Sequence, residues 1–263
     1  MADFVEGAPC WVDVTVPDLA AGRRFYGELF GWTFKDSGEE YGHYTEALND
    51  GKSVAALLPP AEGSPKTASW NLYFATADAA ALADKVKAEG GQVLSGPFEV
   101  GGFGTLLVVA DPGGAVFGAW QAGSRTGFEL QGQQPGAFFW PEIYTRDKAT
   151  VDPFFEAVLG FAGQQVSEAN EFDFKIWSLP ALGYPVAGRL QMNEFYPAEL
   201  PAHALVYFWV ADTDEAVAKV RSLGGGVTRE PSDSPFGRSA LVVDDQGARF
   251  ALMGPVKDGA AAH

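Results

Sequence analysis

At 263 residues the chain can form one large domain or two of ordinary size. Apolar residues at 47% and aromatics at 13% support a packed core and exclude a largely disordered chain. A formal charge of −16 excludes nucleic acid as a natural partner, because phosphates demand a basic surface; no apolar run approaches the ~20 residues of a membrane span.

Residues Met1 to Glu6 lack the basic start and apolar core of a signal peptide, and Cys10 is the single cysteine, so no internal disulfide forms. A cytoplasmic location is the expectation. The stretch Cys10 to Asp18 alternates as a half-buried strand, with Val12, Val14 and Val16 on one face and Trp11, Asp13 and Thr15 on the other. From Leu19 the period becomes helical through Phe25-Tyr26 and Leu29-Phe30, and Gly31 stands where a helix C-cap belongs. The valine face should take the helix, which leaves Trp11, Asp13 and Thr15 facing a cavity. Short strands follow at Thr33 to Lys35, His43 to Leu48 and Lys52 to Leu58, with Asn49-Asp50-Gly51 as a hairpin turn. The unit is βαβββ, and Pro59 to Pro65 reads as a linker.

A second unit begins with the strand Trp70 to Thr76, followed by a helix over Ala79 to Ala88 that Gly90-Gly91 ends. Strands are expected at Gln92 to Leu94, Phe98 to Val100, Thr105 to Ala110 and Ala115 to Gln121, the last pair turned by Asp111-Pro112-Gly113-Gly114. The order then returns. Trp140, Asp147, Phe154 and Gly160 repeat Trp11, Asp18, Phe25 and Gly31 at one constant offset, and Phe236-Gly237, Asp244 and Gly247 repeat Phe103-Gly104, Asp111 and Gly114 at another. Asp13 becomes Glu142, so an acid stays beside a tryptophan. The reading is an α+β fold of four βαβββ modules, with a first domain over residues 1–122, a linker over 123–136 and a second domain over 137–263. His203 is expected in the connection before module four, and Pro255 to His263 as a frayed tail.

The sequence Asp18 with Phe25 to Trp32, Gly90-Gly91 and Asp111 to Gly114, in this repeated order, resembles the vicinal oxygen chelate superfamily, which includes glyoxalase I, extradiol dioxygenases and bleomycin-resistance proteins. The resemblance covers all four modules. It implies curved sheets forming two barrels with helices outside, each pair of modules closing around a ligand-binding cup. In metal-using members the ligands come from the first and last strands of a module. The matching positions here are Trp11, Asn71, Trp140 and Leu205 on first strands, with Gly118, Ala251 and residues near Ala56 and Gly188 on last strands. None is a good ligand for zinc, iron or manganese.

Aromatic residues mark the cups instead. Trp11, Trp120, Trp140 and Trp209 fall on cup-facing parity and can stack a planar ligand, or fill the cup as core. Asp13 and Glu142 can anchor an amine or hydroxyl, or pair with Arg23, Arg146 or Arg238. The candidate ligand residues are Trp11, Asp13, His43, Asn71, Tyr73, Trp120, Trp140, Glu142, Tyr144, Tyr207 and Trp209. No catalytic residue, metal site or cofactor is assigned. The expected activity is metal-independent binding of a planar aromatic or polycyclic molecule that can carry a cation, serving antibiotic sequestration or natural-product tailoring, by a monomer or homodimer. The alternative is a metal-dependent lyase, dioxygenase or hydroxylase of the same superfamily.

Overall fold

The computed structural model describes residues 4–63 and 66–257. The first three residues, the linker positions Ser64 and Pro65, and the expected tail after Lys257, His263 included, lie outside the described residues. Module one contains β1 (Pro9–Thr15), α1 (Leu19–Phe30), β2 (Thr33–Asp36), β3 (Thr45–Asn49) and β4 (Lys52–Leu58). Module two contains β5 (Ser69–Ala75), α2 (Ala79–Ala88), β6 (Gln92–Val100), β7 (Gly104–Ala110) and β8 (Val116–Ala122). Module three contains β9 (Phe138–Thr145), α3 (Lys148–Leu159), β10 (Ala162–Ala169), β11 (Phe172–Leu179) and β12 (Tyr184–Gln191). Module four contains β13 (His203–Trp209), α4 (Thr213–Ser222), β14 (Gly226–Ser234), β15 (Gly237–Val243) and β16 (Arg249–Gly254).

All four helices start on an aspartate. Asp18 accepts from the backbone N–H of Ala20 and Ala21, Asp78 from Ala80 and Ala81, Asp212 from Asp214 and Glu215, and Asp147 from Thr150. Each such cap stabilises its helix by about 1 kcal/mol. Gly31 closes α1 at φ 75° and Gly160 closes α3 at φ 72°, the left-handed conformation that glycine adopts without strain. Val12, Val14 and Val16 are fully buried. The methyl groups of Leu57 and Val16 lie 3.0 and 3.1 Å from where a Cβ on Gly22 would stand, so α1 seats against the valine face. Trp11, Asp13 and Thr15 are thereby left on the opposite, inner face.

The strands form two curved eight-stranded sheets, ordered β2-β3-β4-β1-β5-β8-β7-β6 and β10-β11-β12-β9-β13-β16-β15-β14. Neither closes into the expected barrel: β2 and β6 remain edges of the first sheet, and β10 and β14 of the second. β2 has only four residues, and β6 and β14 both carry bulges, devices that blunt an edge against further pairing. β6 is one strand where the sequence suggested two, because pairing with β7 resumes on both sides of Gly96-Pro97. His43 is not on a strand. It sits in a turn at φ 59°, its Nδ1 3.3 Å from Asp36 Oδ2, and β3 begins two residues later. His203, expected in a connection, opens β13.

The chain divides into two compact units. The first comprises the segment ending at Trp11 with Asn71–Gly127 and Pro141–Leu205; the second comprises Val12–Trp70, Phe128–Trp140 and the chain from Val206. In the first, α2 packs on α3 over an aromatic core in which Phe117 meets Phe74 at 5.5 Å and Phe155 at 5.4 Å, and Phe155 meets Trp177 at 4.8 Å. In the second, α1 packs on α4, with Tyr26–Trp70 at 5.3 Å and Phe30–Phe208 at 5.1 Å. Lys219–Glu28 and Arg24–Asp245 pairs, both at 2.8 Å, flank that core. Part of the glycine-rich segment before β9 is ordered into it: Phe128 stacks on Phe138 at 4.8 Å, and Glu129 donates its N–H to the Ser53 carbonyl at 2.9 Å.

Candidate functional site

In the first unit, β5 and β8 run parallel with Tyr73 opposite Gly118. A Cβ on Gly118 would lie 2.1 Å from Tyr73 Cδ1, so the tyrosine ring occupies the space that any side chain would need. The same device recurs on β7, where Trp120 Cζ2 lies 2.4 Å from the Cβ position of Gly104. Trp120 Nε1 donates to the Arg125 carbonyl at 2.8 Å, which fixes the indole plane. Asn71, Tyr73, Leu106, Val108 and Trp120 are all half-buried, as is Trp11 on β1, so this inner face presents accessible rings. Cys10 is buried beside Trp11, its Sγ 3.5 Å from the Tyr73 carbonyl, and burial pushes its thiol far above the ordinary range. It is a packing residue.

In the second unit, Asp13 on β1, Ala56 on β4 and Glu46 on β3 lie in one row across three strands, hence on one face and about 10 Å apart end to end. Both carboxylates are buried. The Tyr44 hydroxyl donates to Asp13 Oδ2 at 3.2 Å, and Glu46 Oε1 accepts the Ser53 hydroxyl at 2.6 Å. Ser53 N–H donates to Glu129 Oε2 at 2.9 Å. The arginines weighed as partners are engaged elsewhere: Arg23 with Asp36, Arg146 with the Asn193 and Pro197 carbonyls, and Arg238 with Asp214 and Asp233.

The equivalent row in module three, within the first unit, is Glu142, Gly188 and Ile176. Here the Phe174 ring comes within 2.7 Å of the Cβ position of Gly188, and Glu142 Cγ lies 3.3 Å from the same point. Tyr144 is buried, stacked on His203 at 4.9 Å and edge-on to Tyr196 at 6.0 Å. In module four, within the second unit, Tyr207 stands opposite Ala251, and Trp209 meets Phe139 at 4.9 Å. The structure thus joins Asp13 to Tyr44 and lays Tyr73 over Gly118, while His43 turns away to Asp36. Sequence reasoning missed Glu46, Ser53, Glu129 and Phe174. Glu46 shares strand parity with Tyr44, a signal that could have found it.

At the positions where the superfamily places metal ligands, the last strands offer two buried alanines and two glycines covered by rings. These residues do not fit a metal ion, which needs imidazole, carboxylate or thiolate donors. Among the described residues no group of three or more His, Cys, Asp and Glu is arranged to hold one. A groove of about 630 Å³ in the first unit, lined by Asp78, Leu82, Lys85 and Leu159 among others, contains none of the expected site residues. Among the described residues no helix is long and apolar enough to cross a membrane.

Residues 10–118 match the model of the Glyoxalase/Bleomycin resistance protein/Dioxygenase superfamily. The chain is 38% identical to the anthracycline biosynthesis protein DauV of Streptomyces sp. (strain C5), over 96% of this chain and 95% of that protein. It is 37% identical to the anthracycline biosynthesis protein DnrV of Streptomyces peucetius, with the same coverage of 96% and 95%. In fold it resembles the crystal structure of the 2,3-dioxygenase LapB from Pseudomonas sp. KL28, with a TM-score of 0.65 at 16% identity over 96% of this chain and 94% of that one. The duplicated modules, the sheet order and the full-length similarity agree, and the chain belongs to the glyoxalase/bleomycin resistance/dioxygenase superfamily.

Proposed function

We propose that the protein binds a planar polycyclic aromatic molecule on its inner sheet face, without a metal, as a sequestering protein or as an accessory to natural-product tailoring. One observation supports this reading: a half-exposed Tyr73 ring covers Gly118, the residue that the superfamily resemblance matches to a metal-ligand position. Trp120 over Gly104 and Trp11 on β1 add further aromatic surface in the same unit. Stacking on such rings is worth up to about 1.5 kcal/mol each beyond area burial. Similarity to proteins named for anthracycline biosynthesis supports a polycyclic ligand class. The test is titration of chelator-treated protein with doxorubicin and a panel of planar cations, followed by tryptophan emission. Quenching with saturation is expected, and Tyr73→Ala should weaken binding about tenfold. Emission that never saturates, or binding restored only by an added metal, overturns the proposal.

A further inference from the structure

On module two, within the first unit, two aromatic rings lie down on the sheet because a glycine stands beneath each. Ring atoms of Tyr73 fall where a Cβ on Gly118 would stand, and the indole of Trp120 does the same over Gly104. The strands between them supply an apolar floor. Val108 stands opposite Gly118, Leu106 opposite Trp120, and Phe98 opposite Leu106. Tyr73, Trp120, Leu106 and Val108 are half-buried, and Phe98, on the edge strand β6, is 45% exposed.

Length is the first feature this face reads. Gly118 pairs with Val108, and Gly104 pairs with Ala122 farther along the same two strands, so the covered glycines are about 14 Å apart. A bicyclic molecule overlaps one of the two rings, whereas three or four rings fused in line overlap both. Phe98 flanks the middle of that path at the open edge of the sheet. Charge is the second feature. From Asn71 onward, no Asp, Glu, Lys or Arg shares this face on β5, β6, β7 or β8. The same plan admits charge elsewhere: in module four, Arg229 stands opposite Leu241, the counterpart of Val108, and its Nη2 donates to the Ser239 hydroxyl at 3.3 Å. An ammonium brought onto the module-two face would lose water with no carboxylate on those strands to replace it.

We infer that this face takes an uncharged molecule of three or more linearly fused rings, laid across Tyr73 and Trp120, with Phe98 beside it as the residue that reads its length. The inference rests on the proposed binding of a polycyclic aromatic and names the class within it. Two flat rings offer offset stacking at both ends of one rigid planar molecule, so the second contact orders little that the first has left free.

The test is calorimetric titration of the full chain at high salt, which screens its overall negative charge. The probes are 1,4-naphthoquinone, doxorubicin, and doxorubicinone, the neutral aglycone of doxorubicin. Doxorubicinone should bind at least tenfold tighter than naphthoquinone and at least as tightly as doxorubicin. Phe98→Ser, an exchange at an exposed position, should weaken doxorubicinone about fivefold and naphthoquinone less than twofold. Tyr73→Ala and Trp120→Ala, each checked for a thermal transition like the parent's, should both weaken doxorubicinone about tenfold, whereas naphthoquinone should respond to one of them at most. Doxorubicin bound tenfold tighter than its aglycone, naphthoquinone bound as tightly as doxorubicinone, or a Phe98→Ser variant that treats both quinones alike overturns the inference while leaving the proposed binding intact. No saturable binding of any of the three probes overturns the proposed function, and this inference with it.

Discussion

The two units keep the same buried turn aspartate and treat it differently. In the second unit, Asp244 Oδ1 accepts from Ala248 N–H at 2.8 Å and Gln246 N–H at 2.9 Å, while Oδ2 accepts the Tyr26 hydroxyl at 2.9 Å. That hydroxyl in turn accepts Trp70 Nε1–H at 3.1 Å. In the first unit, Asp111 Oδ1 accepts Ala115 N–H at 2.9 Å, but its buried Oδ2 has no hydrogen-bond partner. The repeat places Phe155 where Tyr26 would be and Ala204 where Trp70 would be. Burial pushes the Asp111 carboxyl up to about 6, against the opposing pull of the Ala115, Gly113 and Gly114 N–H groups. Asp244 is raised too, again chiefly by burial. The difference shows what the duplication conserves: one oxygen shapes the turn and is kept, while the other depends on a distant helix and has drifted.

The same contrast runs through the face of the sheet that meets the helices. Module one places the buried Leu57 beside Ala56, and module three places Arg189 beside Gly188, also fully buried. Arg189 donates to Asp152 through Nε at 3.0 Å and to Asp173 through Nη1 at 2.6 Å, with Gln165 at 3.2 Å. Lys175 and Lys148 pair with the same two carboxylates at 2.8 and 2.6 Å. Arg189→Leu, which copies module one, should therefore be the most damaging exchange. It removes the buried cation between Asp152, buried, and Asp173, half-buried, and should cost about 3–5 kcal/mol, read as a lower denaturant midpoint.

The orphaned oxygen gives the next largest effect, and its sign is fixed by the raised carboxyl. The unfolded Asp111 titrates near 3.8 and the folded one near 6. Below the lower value both states hold the proton and nothing is lost. As pH rises through 6 the folded state must give up a proton that it holds more tightly, so stability falls by about 3 kcal/mol across that window. Asp111→Asn should flatten the decline, leaving only the smaller share of Asp244. A parent chain whose stability rises steadily from pH 4 to 7 would show that another group dominates.

Tyr26→Phe sharpens the comparison from the other side. It strips the second unit of the donor to Asp244 and the acceptor of Trp70, copying the first unit's arrangement. Two buried polar atoms lose their partner, and a loss of about 2 kcal/mol at pH 7 is expected in chemical denaturation. In acid, where the raised Asp244 carboxyl takes up its proton, the penalty should shrink.

Much of the scaffold is legible in the chain because its signals are local. Asp18 and Gly31 bracket α1, Asn49-Asp50-Gly51 makes the hairpin, and the valine alternation of β1 assigns its faces. The Trp11 and Asp13 face follows from parity alone, whereas the positions compared for metal donors come from the superfamily resemblance. What stays hidden depends on distant partners. Tyr73 meets Gly118, and Phe174 meets Gly188, only once sheet register is set. Arg189 stands one residue from the inner-facing Gly188, on the helix side of β12, where carboxylates from α3 and β11 hold it in the core. His43 reads as strand because Tyr44 and Thr45 do, but the turn closed by Gly42 throws it out of the sheet.

The smallest expected effect is also the sharpest test of the repeat. Phe155→Tyr restores to the first unit the hydroxyl that Tyr26 supplies in the second. The ring is fully buried, 4.8 Å from Trp177 and 5.4 Å from Phe117, so the added oxygen is tolerated only if it points along the path that the duplication predicts. On that path it donates to Asp111 Oδ2, a charge-assisted bond worth about 1.5–3 kcal/mol, less the cost of crowding. A net gain of about 1 kcal/mol at pH 7 is expected. The bond also favours the ionised carboxylate, so the fall in stability between pH 4 and 6 should shrink in the same variant. A loss of 1 kcal/mol with the pH slope unchanged would mean that Asp111 Oδ2 lies out of reach of position 155, and that the two aspartates differ by more than a missing hydroxyl.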